Sequence, residues 1–484
     1  MKKEMDLCQV VYNNLATQIR FGAYRFGDQL PTLEELSHLQ MVSIDTVRTA
    51  YRRLQADGFI TLSKSTGATV KVQYTEAEIA QNIQKFYSQR KDSLLDLSQS
   101  MRFLFCNALW TALKHAPPEI LDEIDLLVLQ NRDILPSYTQ HLQLIYGSLH
   151  NELMMRLVWQ TFMFFQAPFL SISDNVTRLI AESNPLLDLT GCCRRKDWAG
   201  LWSAVEAFFE KFSCALSGFY EEKISLPPTE KQVTFIWSSY KKTSQICYSL
   251  CREILGSISR HEYPAGSYLP SLEKLAKEKQ VSVSTIRRTL LVLNQIGAVK
   301  SLNGVGTKIL PLGDNTENCD FTQPVISKRL LDYVQCLQFF ALSCRMTAES
   351  TLASLDSEAF AECKNRLLKI KQTGQPELVV YVSLEFIACS TPLRTIRTVY
   401  TELLHLLFWG NPLRSIRKNQ EGFSGFFLPY IEYFIACLDR PAPVAFAATL
   451  EELVTCLLNL SVELMAELGF SEVESLLIPS NSKA

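Results

Sequence analysis

A long stretch of this chain occurs twice, 239 positions apart. Residues 28–60 read DQLPTLEELSHLQMVSIDTVRTAYRRLQADGFI, and residues 267–299 read SYLPSLEKLAKEKQVSVSTIRRTLLVLNQIGAV. Leucine-proline, valine-serine, threonine, arginine and glycine recur in register, so the likeness does not come from composition. A chain of 484 residues is also too long for a single hydrophobic core. The repeat therefore predicts duplicated domains and not a solenoid, whose units run about 20 to 50 residues.

A weaker repeat lies downstream, where a shift of 242 positions aligns residues 141–165 with 383–407 and retains the apolar positions. The duplication thus covers nearly the whole chain. Proline and glycine clusters break the helical pattern and suggest where the domains end. The predicted domains are 1–73, 74–228, 229–312 and 313–484.

Each copy begins with a pattern of three helices followed by two short strands. In the third helix of the first copy, Val47, Ala50, Tyr51 and Leu54 fall at i, i+3, i+4 and i+7, which makes one buried face. The strands alternate β-forming residues around a glycine-bearing tip, which predicts a hairpin. Three helices with a hairpin after the third are typical of a winged helix-turn-helix, whose third helix fits the DNA major groove.

Long segments of helical pattern with few strand signals follow each hairpin. In the first of them, apolar residues recur along one helix face, exemplified by Trp198, Leu201, Val205, Phe208 and Phe209. We therefore predict a mainly α chain. It has two winged helix-turn-helix domains with small β-hairpin wings, each followed by an all-α helical bundle of an effector or dimerisation type.

The residues that open the third helix determine what it can bind. Hydroxyl and guanidinium groups are suited to phosphates and to guanine edges. The candidates of the first copy are Ser43, Asp45, Thr46, Arg48 and Arg52. Those of the second copy are Ser282, Ser284, Thr285, Arg287 and Arg288. As an alternative, the two serines act as helix caps, and Arg48 and Arg287 are solvated charges.

Charge is unevenly distributed along the chain, whose formal net charge is −2. Residues 229–311 hold twelve Lys and Arg against five Glu, a net charge of +7. Residues 1–73 hold nine Lys and Arg against seven acidic residues, a net charge of +2. Because phosphate neutralisation supplies much of the affinity for DNA, the second copy should bind DNA more strongly.

Residues 30–60 and 269–299 resemble the DNA-binding domain of GntR-family bacterial transcription regulators. That domain has a leucine-proline-serine helix, a valine-serine-x-x-threonine-valine-arginine recognition helix and a glycine-tipped wing. The resemblance implies DNA contacts from the hydroxyl residues and the arginine of the recognition helix and from the wing tip. In this chain the implied contacts are Ser43, Thr46, Arg48, Lys64, Ser65, Ser282, Thr285, Arg287, Asn303 and Gly304.

The chain departs from the family pattern at two places in each copy. Family members usually carry an arginine in the second helix, where this chain has Glu34 and Glu273. They usually carry another at the start of the recognition helix, where it has Ile44 and Val283. A glutamate that faces phosphate repels it, so either the docking differs or the affinity is lower.

The helical regions resemble, more loosely, the all-helical effector domain of the FadR branch (FCD-like). That resemblance implies a metal held by one Asp and three His, or an organic acid bound through the metal. The first region contains His115, His141 and His150, the second contains His405, and neither has an Asp-x-x-x-His pattern. We therefore expect no metal and no other cofactor, while a small-molecule effector in the helical regions stays open.

The first helical region contains seven aromatic residues in two short stretches of the sequence. They predict ordinary core, with an apolar ligand pocket as the alternative. They are Trp159, Phe162, Phe164, Phe165, Trp198, Trp202 and Phe208.

The N-terminus lacks the apolar run of an export signal, and the apolar stretch 151–170 is interrupted by polar residues, which favours buried helices. The fourteen cysteines form no CxxC pair. Cys247 and Cys251 lie one helical turn apart and are predicted to be core residues. These features favour reduced thiols and a cytoplasmic protein with no membrane partner.

The leading hypothesis is a transcription regulator with two DNA-reading heads in one chain. The heads differ at aligned positions, so the preferred operator is an imperfect palindrome and the chain is an intramolecular pseudo-dimer. The sequence does not distinguish a repressor from an activator or decide further oligomerisation. The alternative is a degenerate winged-helix protein that acts as a protein-interaction module. We expect no enzyme, since phosphate-loop, nucleophile-elbow and paired catalytic motifs are absent from the sequence.

Overall fold

The computed structural model describes residues 7–63, 67–130, 134–180, 184–237, 242–259, 262–310, 324–410, 413 and 420–479. The chain divides into two compact units, one of residues 1–237 with 393–395, the other of residues 238–392 with 396–484. Each unit begins with a winged helix and continues as helices. The strands of the described segments form two separate two-stranded antiparallel sheets. The predicted fold class is therefore confirmed.

Local side-chain chemistry sets the helix starts of the first winged helix. The Glu35 amide donates to the Thr32 hydroxyl at 3.2 Å, and the Thr32 amide donates to the Glu35 carboxylate at 2.8 Å, a capping box. Met41 ends that helix in the left-handed conformation, and Ser43 caps the next one. The elements are α1 (Leu7–Arg20), α2 (Leu33–Gln40), α3 (Ile44–Ala56), β1 (Ile60–Ser63) and β2 (Gly67–Val70).

The core of this winged helix lies between α1, α3 and the hairpin, whose register pairs Ile60 with Val70. The four apolar positions predicted on α3 are all buried, so the predicted periodicity is confirmed. They pack in one cluster with Val11, Leu15, Ile19, Leu30, Leu36, Phe59, Ile60, Ala68 and Val70.

A glycine links the recognition helix to the wing in both copies. Gly58 has φ +79° and Gly297 has φ +71°, a left-handed conformation that other residues rarely adopt. The turn explains why this glycine recurs in register.

The helical region of the first unit is built around two long helices, α5 and α12, which pack along each other. Helix α1 of the winged helix rests on α9 and on the π-helical segment Phe162–Gln166, and α2 rests on α7. The helices are α4 (Glu76–Ser88), α5 (Lys91–Lys114), α6 (Pro118–Gln130), α7 (Ile134–Gly147), α8 (Glu152–Thr161), α9 (Ala167–Leu170), α10 (Ser173–Ile180), α11 (Pro185–Arg195) and α12 (Trp198–Lys223).

The second unit repeats the winged helix. Ser271 and Ser282 cap its second and third helices, and the hairpin register pairs Val299 with Ile309. Its elements are α13 (Lys242–Ser259), α14 (Leu272–Glu278), α15 (Val283–Gln295), β3 (Val299–Leu302) and β4 (Gly306–Ile309).

The helical region of the second unit is organised around α16 and α21, which pack along much of their lengths. Short 3₁₀ segments cover Pro376–Leu378, Phe408–Gly410 and Ser471–Leu476. The helices are α16 (Pro324–Ala353), α17 (Ser357–Gln372), α18 (Val379–Ser390), α19 (Arg394–Leu407), α20 (Gln420–Asp439) and α21 (Pro443–Glu467).

Within the described segments, α21 alone is long and apolar enough to cross a membrane by length and composition. Core helices pass the same test, and α21 buries residues such as Leu450, Leu453 and Leu458 inside the second unit. A single helix of this kind is weak evidence for a membrane span.

Candidate nucleic-acid interface

The start of the first recognition helix, α3, presents hydroxyl groups that also cap it. The Thr46 amide donates to the Ser43 hydroxyl at 3.2 Å, and the two hydroxyl oxygens lie 2.8 Å apart. Ser43 is exposed and Thr46 is half-buried. Ser43 therefore caps the helix, as the alternative interpretation holds, and its hydroxyl still faces solvent.

The second recognition helix, α15, begins with the same arrangement and one more hydroxyl. The Ser282 hydroxyl accepts from the Thr285 amide at 3.2 Å and lies 2.8 Å from both the Ser284 and Thr285 hydroxyls. Ser282 and Ser284 are exposed. Three hydroxyl groups thus lie together at the tip of α15.

The arginines of the two recognition helices differ in whether they form an ion pair within the protein. Arg48 of α3 forms an ion pair with Asp45, one turn earlier on the same helix. In α15 the residue aligned with Asp45 is Ser284, and Arg287 and Arg288 are exposed without an ion pair to any described residue. An arginine that is already paired offers less net charge to phosphate, so α15 is the stronger cationic surface.

Further differences lie at the aligned positions later in each helix. Thr49 donates its hydroxyl to the Asp45 carbonyl at 2.7 Å, whereas Arg288 occupies the aligned position in α15. Arg52 is exposed on α3, and Leu291, at the aligned position of α15, is 57% exposed. The two helices therefore present different chemical groups over their first three turns.

Only the second wing tip can be described. Lys64 and Ser65 lie outside the described residues. Asn303 and Gly304 are exposed at the turn between β3 and β4, with Gly304 at φ +76°. The next residue, Val305, is 65% exposed, so this wing tip presents an amide, open backbone and one apolar side chain.

The two glutamates that replace the family arginines are both exposed. Glu34 lies in the first turn of α2 and Glu273 in the first turn of α14. An acidic residue in a first turn is stabilised by the positive end of the helix dipole. A structural role is therefore available to both side chains besides any effect on DNA.

The histidines of the helical regions do not converge on a metal site. Nε2 of His141 lies 3.1 Å from the Ile124 carbonyl, and burial lowers the pKa of this imidazole. His405 lies 3.9 Å from the Glu402 carboxylate. No group of three or more His, Cys, Asp or Glu side chains within the described segments could hold a metal ion.

The seven aromatic residues do not line one pocket. Trp202 packs edge-on against Trp110 at 6.0 Å, and Phe164 packs against Phe235 at 5.4 Å. Most of the set is core, and of its members only Phe208 borders the cavity of about 300 Å³ in the first unit.

That cavity was not predicted from the sequence. It is enclosed by α6, α7, α9, α10, α11 and α12, and its walls are mainly apolar, with Leu170, Val176 and Phe212 among them. Among the described wall residues, half-buried Lys211 is the cationic one, and buried His141 and Tyr138 are the other ionisable ones. The lining residues are dispersed between positions 128 and 212, so no local motif could have indicated it.

Comparison with known proteins identifies both winged helices. The profile of the family described as "Bacterial regulatory proteins, gntR family" matches residues 7–70 and 249–309. The two matched segments lie in different structural units, as the predicted duplication requires. A search of curated protein sequences finds no match.

Three similar solved structures each align with less than half of this chain. "Streptococcus agalactiae GntR" is 19% identical, covering 45% of this chain and 99% of its own, with a TM-score of 0.21. "E. coli McbR/YncC" is 18% identical, covering 45% and 100%, with a TM-score of 0.22. The structure titled for Lar and the agr system of Listeria monocytogenes is 16% identical, covering 47% and 99%, with a TM-score of 0.22.

Proposed function

Because this chain carries two winged-helix domains of the GntR family of bacterial regulatory proteins, we propose that it is a transcription regulator that binds double-stranded DNA with both. The observation that carries the proposal is the exposed start of α15. There Ser282, Ser284, Arg287 and Arg288 face solvent, and the two arginines have no ion-pair partner among the described residues.

The proposal assigns a role to each part of the chain. The winged helices at 1–73 and 229–312 bind DNA, and the helical regions at 74–228 and 313–484 serve as effector or dimerisation domains. The proposed DNA-contacting residues are Ser43, Asp45, Thr46, Arg48, Arg52, Lys64, Ser65, Ser282, Ser284, Thr285, Arg287, Arg288, Asn303 and Gly304.

The two winged helices contribute unequally to binding in this scheme. The second has a net charge of +7 over residues 229–311 and the first +2 over residues 1–73. Phosphate contacts give affinity without sequence information, whereas base contacts give specificity. The second head therefore supplies most of the affinity, and the paired Arg48 of the first head supplies less.

The preferred operator is an imperfect palindrome. Its two half-sites differ because the recognition helices differ at aligned positions. Asp45 of the first head corresponds to Ser284 of the second, and Arg52 corresponds to Leu291. Tethering both heads in one chain raises the effective concentration of the second once the first has bound. The two units then act as the halves of one intramolecular dimer, and the complex is tight although the first head is weak.

A small-molecule effector is part of the proposal, and the cavity of the first unit is its candidate site. About 300 Å³ lies at the lower end of the size range of ligand pockets. Helix α7 lines the cavity and contacts α2, while α9 lines it and contacts α1. A ligand that moves either helix acts directly on the first winged helix.

The experiment that tests the function replaces Arg287 and Arg288 by alanine and measures retardation of DNA fragments across a salt series. Loss of two phosphate-contacting cations should weaken binding and lower the salt slope by roughly two. The charge-matched control is Lys369→Ala with Arg440→Ala, two exposed cations of the second helical region.

Two results would count against the proposal. Unchanged binding by the arginine variant would remove α15 from the interface. If the unmodified chain retains no genomic fragment at low salt, the winged helices serve as a protein-interaction module instead. The proposal includes a cytoplasmic location and no catalytic activity.

A further inference from the structure

Two cysteines of α13 contact the recognition helix of the second head. Cys251 is fully buried, and Cys247, one turn earlier, is half-buried and reachable from solvent. Both touch Thr289 of α15. The Cys251 sulfur lies 3.4 Å from the Thr289 carbonyl, and the Thr289 hydroxyl lies 3.7 Å from the Cys247 sulfur and 3.4 Å from the Cys247 carbonyl.

The surroundings of Cys247 favour its thiolate. Hydrogen bonding by Cys251 is the largest cause, the Thr289 hydroxyl and the Arg288 cation add to it, and burial opposes it. Together they lower the pKa of Cys247 to about 7. The thiolate is the nucleophilic form, and a thiol whose pKa lies near the ambient pH is the most effective attacking group.

The first winged helix lacks this arrangement. The residues aligned with Cys247, Cys251 and Thr289 are Cys8, Tyr12 and Ala50. Cys8 is buried, and Tyr12 donates its hydroxyl to Asp57 at 2.5 Å. The duplication therefore supplies an internal comparison, in which one head carries an accessible cysteine against its recognition helix and the other does not.

Among the other described cysteines, Cys214 and Cys389 are exposed and Cys456 is half-buried, with Tyr430 as its hydrogen-bond partner. Cys214 is exposed, but partial burial of the thiol and the Glu210 carboxylate raise its pKa. Cys389 is exposed on α18, in the helical region of the second unit. Cys336 and Cys344 are buried, and burial raises their pKa.

We propose that Cys247 is a thiol-modification site, which undergoes exchange with a low-molecular-weight disulfide, and that the adduct weakens DNA binding by the second head. The Cys247 thiolate attacks one sulfur of the small disulfide. A new sulfur–sulfur bond forms, the old one breaks, and the second half leaves as a thiolate, so no further oxidant is needed. A dithiol reductant reverses the reaction.

The position of the adduct explains its effect on DNA. Cys247 contacts Thr289 of α15 and is close enough for the Arg288 cation to influence its thiol. A glutathionyl group carries two carboxylates, which would pair with Arg288 and repel phosphate. Because Arg288 is otherwise without an ion-pair partner among the described residues, the adduct gives the second head the kind of pairing that Arg48 has in the first.

The first arm of the test is independent of DNA. The full chain is incubated with oxidised glutathione under native conditions, and the modified peptides are mapped over time. Cys247 should be modified at least about tenfold faster than Cys214 and Cys389. Faster reaction at either of those residues, or no reaction at Cys247, overturns the proposal.

The second arm rests on the proposed DNA-binding function. The glutathionylated chain should bind a duplex selected from a random pool about tenfold more weakly, and dithiothreitol should restore binding. Cys247→Ser should bind as the reduced chain does and be insensitive to oxidised glutathione. Modified chain that binds as tightly as reduced chain overturns the regulatory part. If reduced chain binds no duplex, the proposed function fails while the labelling result still stands.

Discussion

At the scale of single residues, the ion pair between Asp45 and Arg48 is the clearest difference between the two reading heads. The spacing i, i+3 is the distance at which opposite charges meet on a helix. The sequence therefore contains the signal for this ion pair, although it also predicts both residues as separate DNA contacts. The pair leaves Arg48 partly neutralised in the unbound protein.

Replacing Asp45 by serine should strengthen DNA binding by the first head. The change gives α3 the residue that α15 carries, releases Arg48 and removes one negative charge from the interface. We expect binding about fivefold tighter at low salt, with a steeper salt dependence, in a retardation assay. Ser284→Asp is the reciprocal variant and should weaken the second head. Weaker binding by Asp45→Ser would instead show that the Asp45 carboxylate contacts DNA. It could do so by accepting a hydrogen bond from a cytosine amino group.

The alkylation of Cys247 should depend on pH near neutrality. Its pKa of about 7 means that the thiolate fraction, and with it the rate of reaction with iodoacetamide, rises through pH 7 and levels off above it. Peptide mapping of the full chain over a pH series measures the rate at this site. Arg288→Ala removes a stabilising cation and should move the midpoint upward. A midpoint near the ordinary cysteine value in the unmodified chain would contradict the account.

At the scale of elements, the sequence predicted those features that depend on a periodic apolar pattern or on neighbouring residues in the chain. The apolar spacing of α3, the capping residues Ser43 and Ser282 and the recurring glycine each depend on neighbours within a few residues, and each repeats in the second copy. Their agreement with the winged-helix pattern made this part of the fold predictable.

The cavity and the aromatic contacts were not predictable in the same way. Trp198, Trp202 and Phe164 have the same helical spacing as fully buried residues. Periodicity therefore cannot show which aromatic side chains contact each other. The cavity depends on how six helices pack, and its wall residues come from distant parts of the sequence. Both features are consequences of tertiary packing.

The recognition helices should depend on one buried leucine each for stability. Leu54 of α3 and Leu293 of α15 are fully buried at aligned positions. Substitution of either by alanine should cost about 2 to 5 kcal/mol of unfolding free energy and increase hydrogen exchange in its own winged helix. Leu291→Ala on the exposed face should change stability by less than about 0.5 kcal/mol. An equal loss at Leu291 and Leu293 would mean that α15 packs through a different face.

At the scale of the whole molecule, the duplication has allowed two copies of one domain to diverge. The first carries a cavity whose walls include α7 and α9, the helices that contact α2 and α1. The second carries Arg287 and Arg288, which have no ion pair to a described residue, and Cys247, the proposed modification site. In the proposed function, the first unit therefore binds the small-molecule effector and the second supplies most of the affinity for DNA.

Filling the cavity should stabilise the first unit. Lys211 is the cationic wall residue, so octanoate should raise the unfolding temperature of the full chain and octylamine should not. Leu179→Trp should occupy the cavity and abolish the effect of octanoate, whereas Leu126→Trp on the exposed surface should not. Equal stabilisation by octanoate in both variants would place the acid elsewhere.

The central claim is that two unequal heads in one chain read one operator. Selection of duplexes bound by the full chain from a random-sequence pool tests it most directly. The account predicts recovered sequences with two related but unequal half-sites at a fixed spacing, of which the stronger is lost in the chain carrying Arg287→Ala and Arg288→Ala. Recovery of a single half-site, two identical half-sites or no enriched sequence would contradict it.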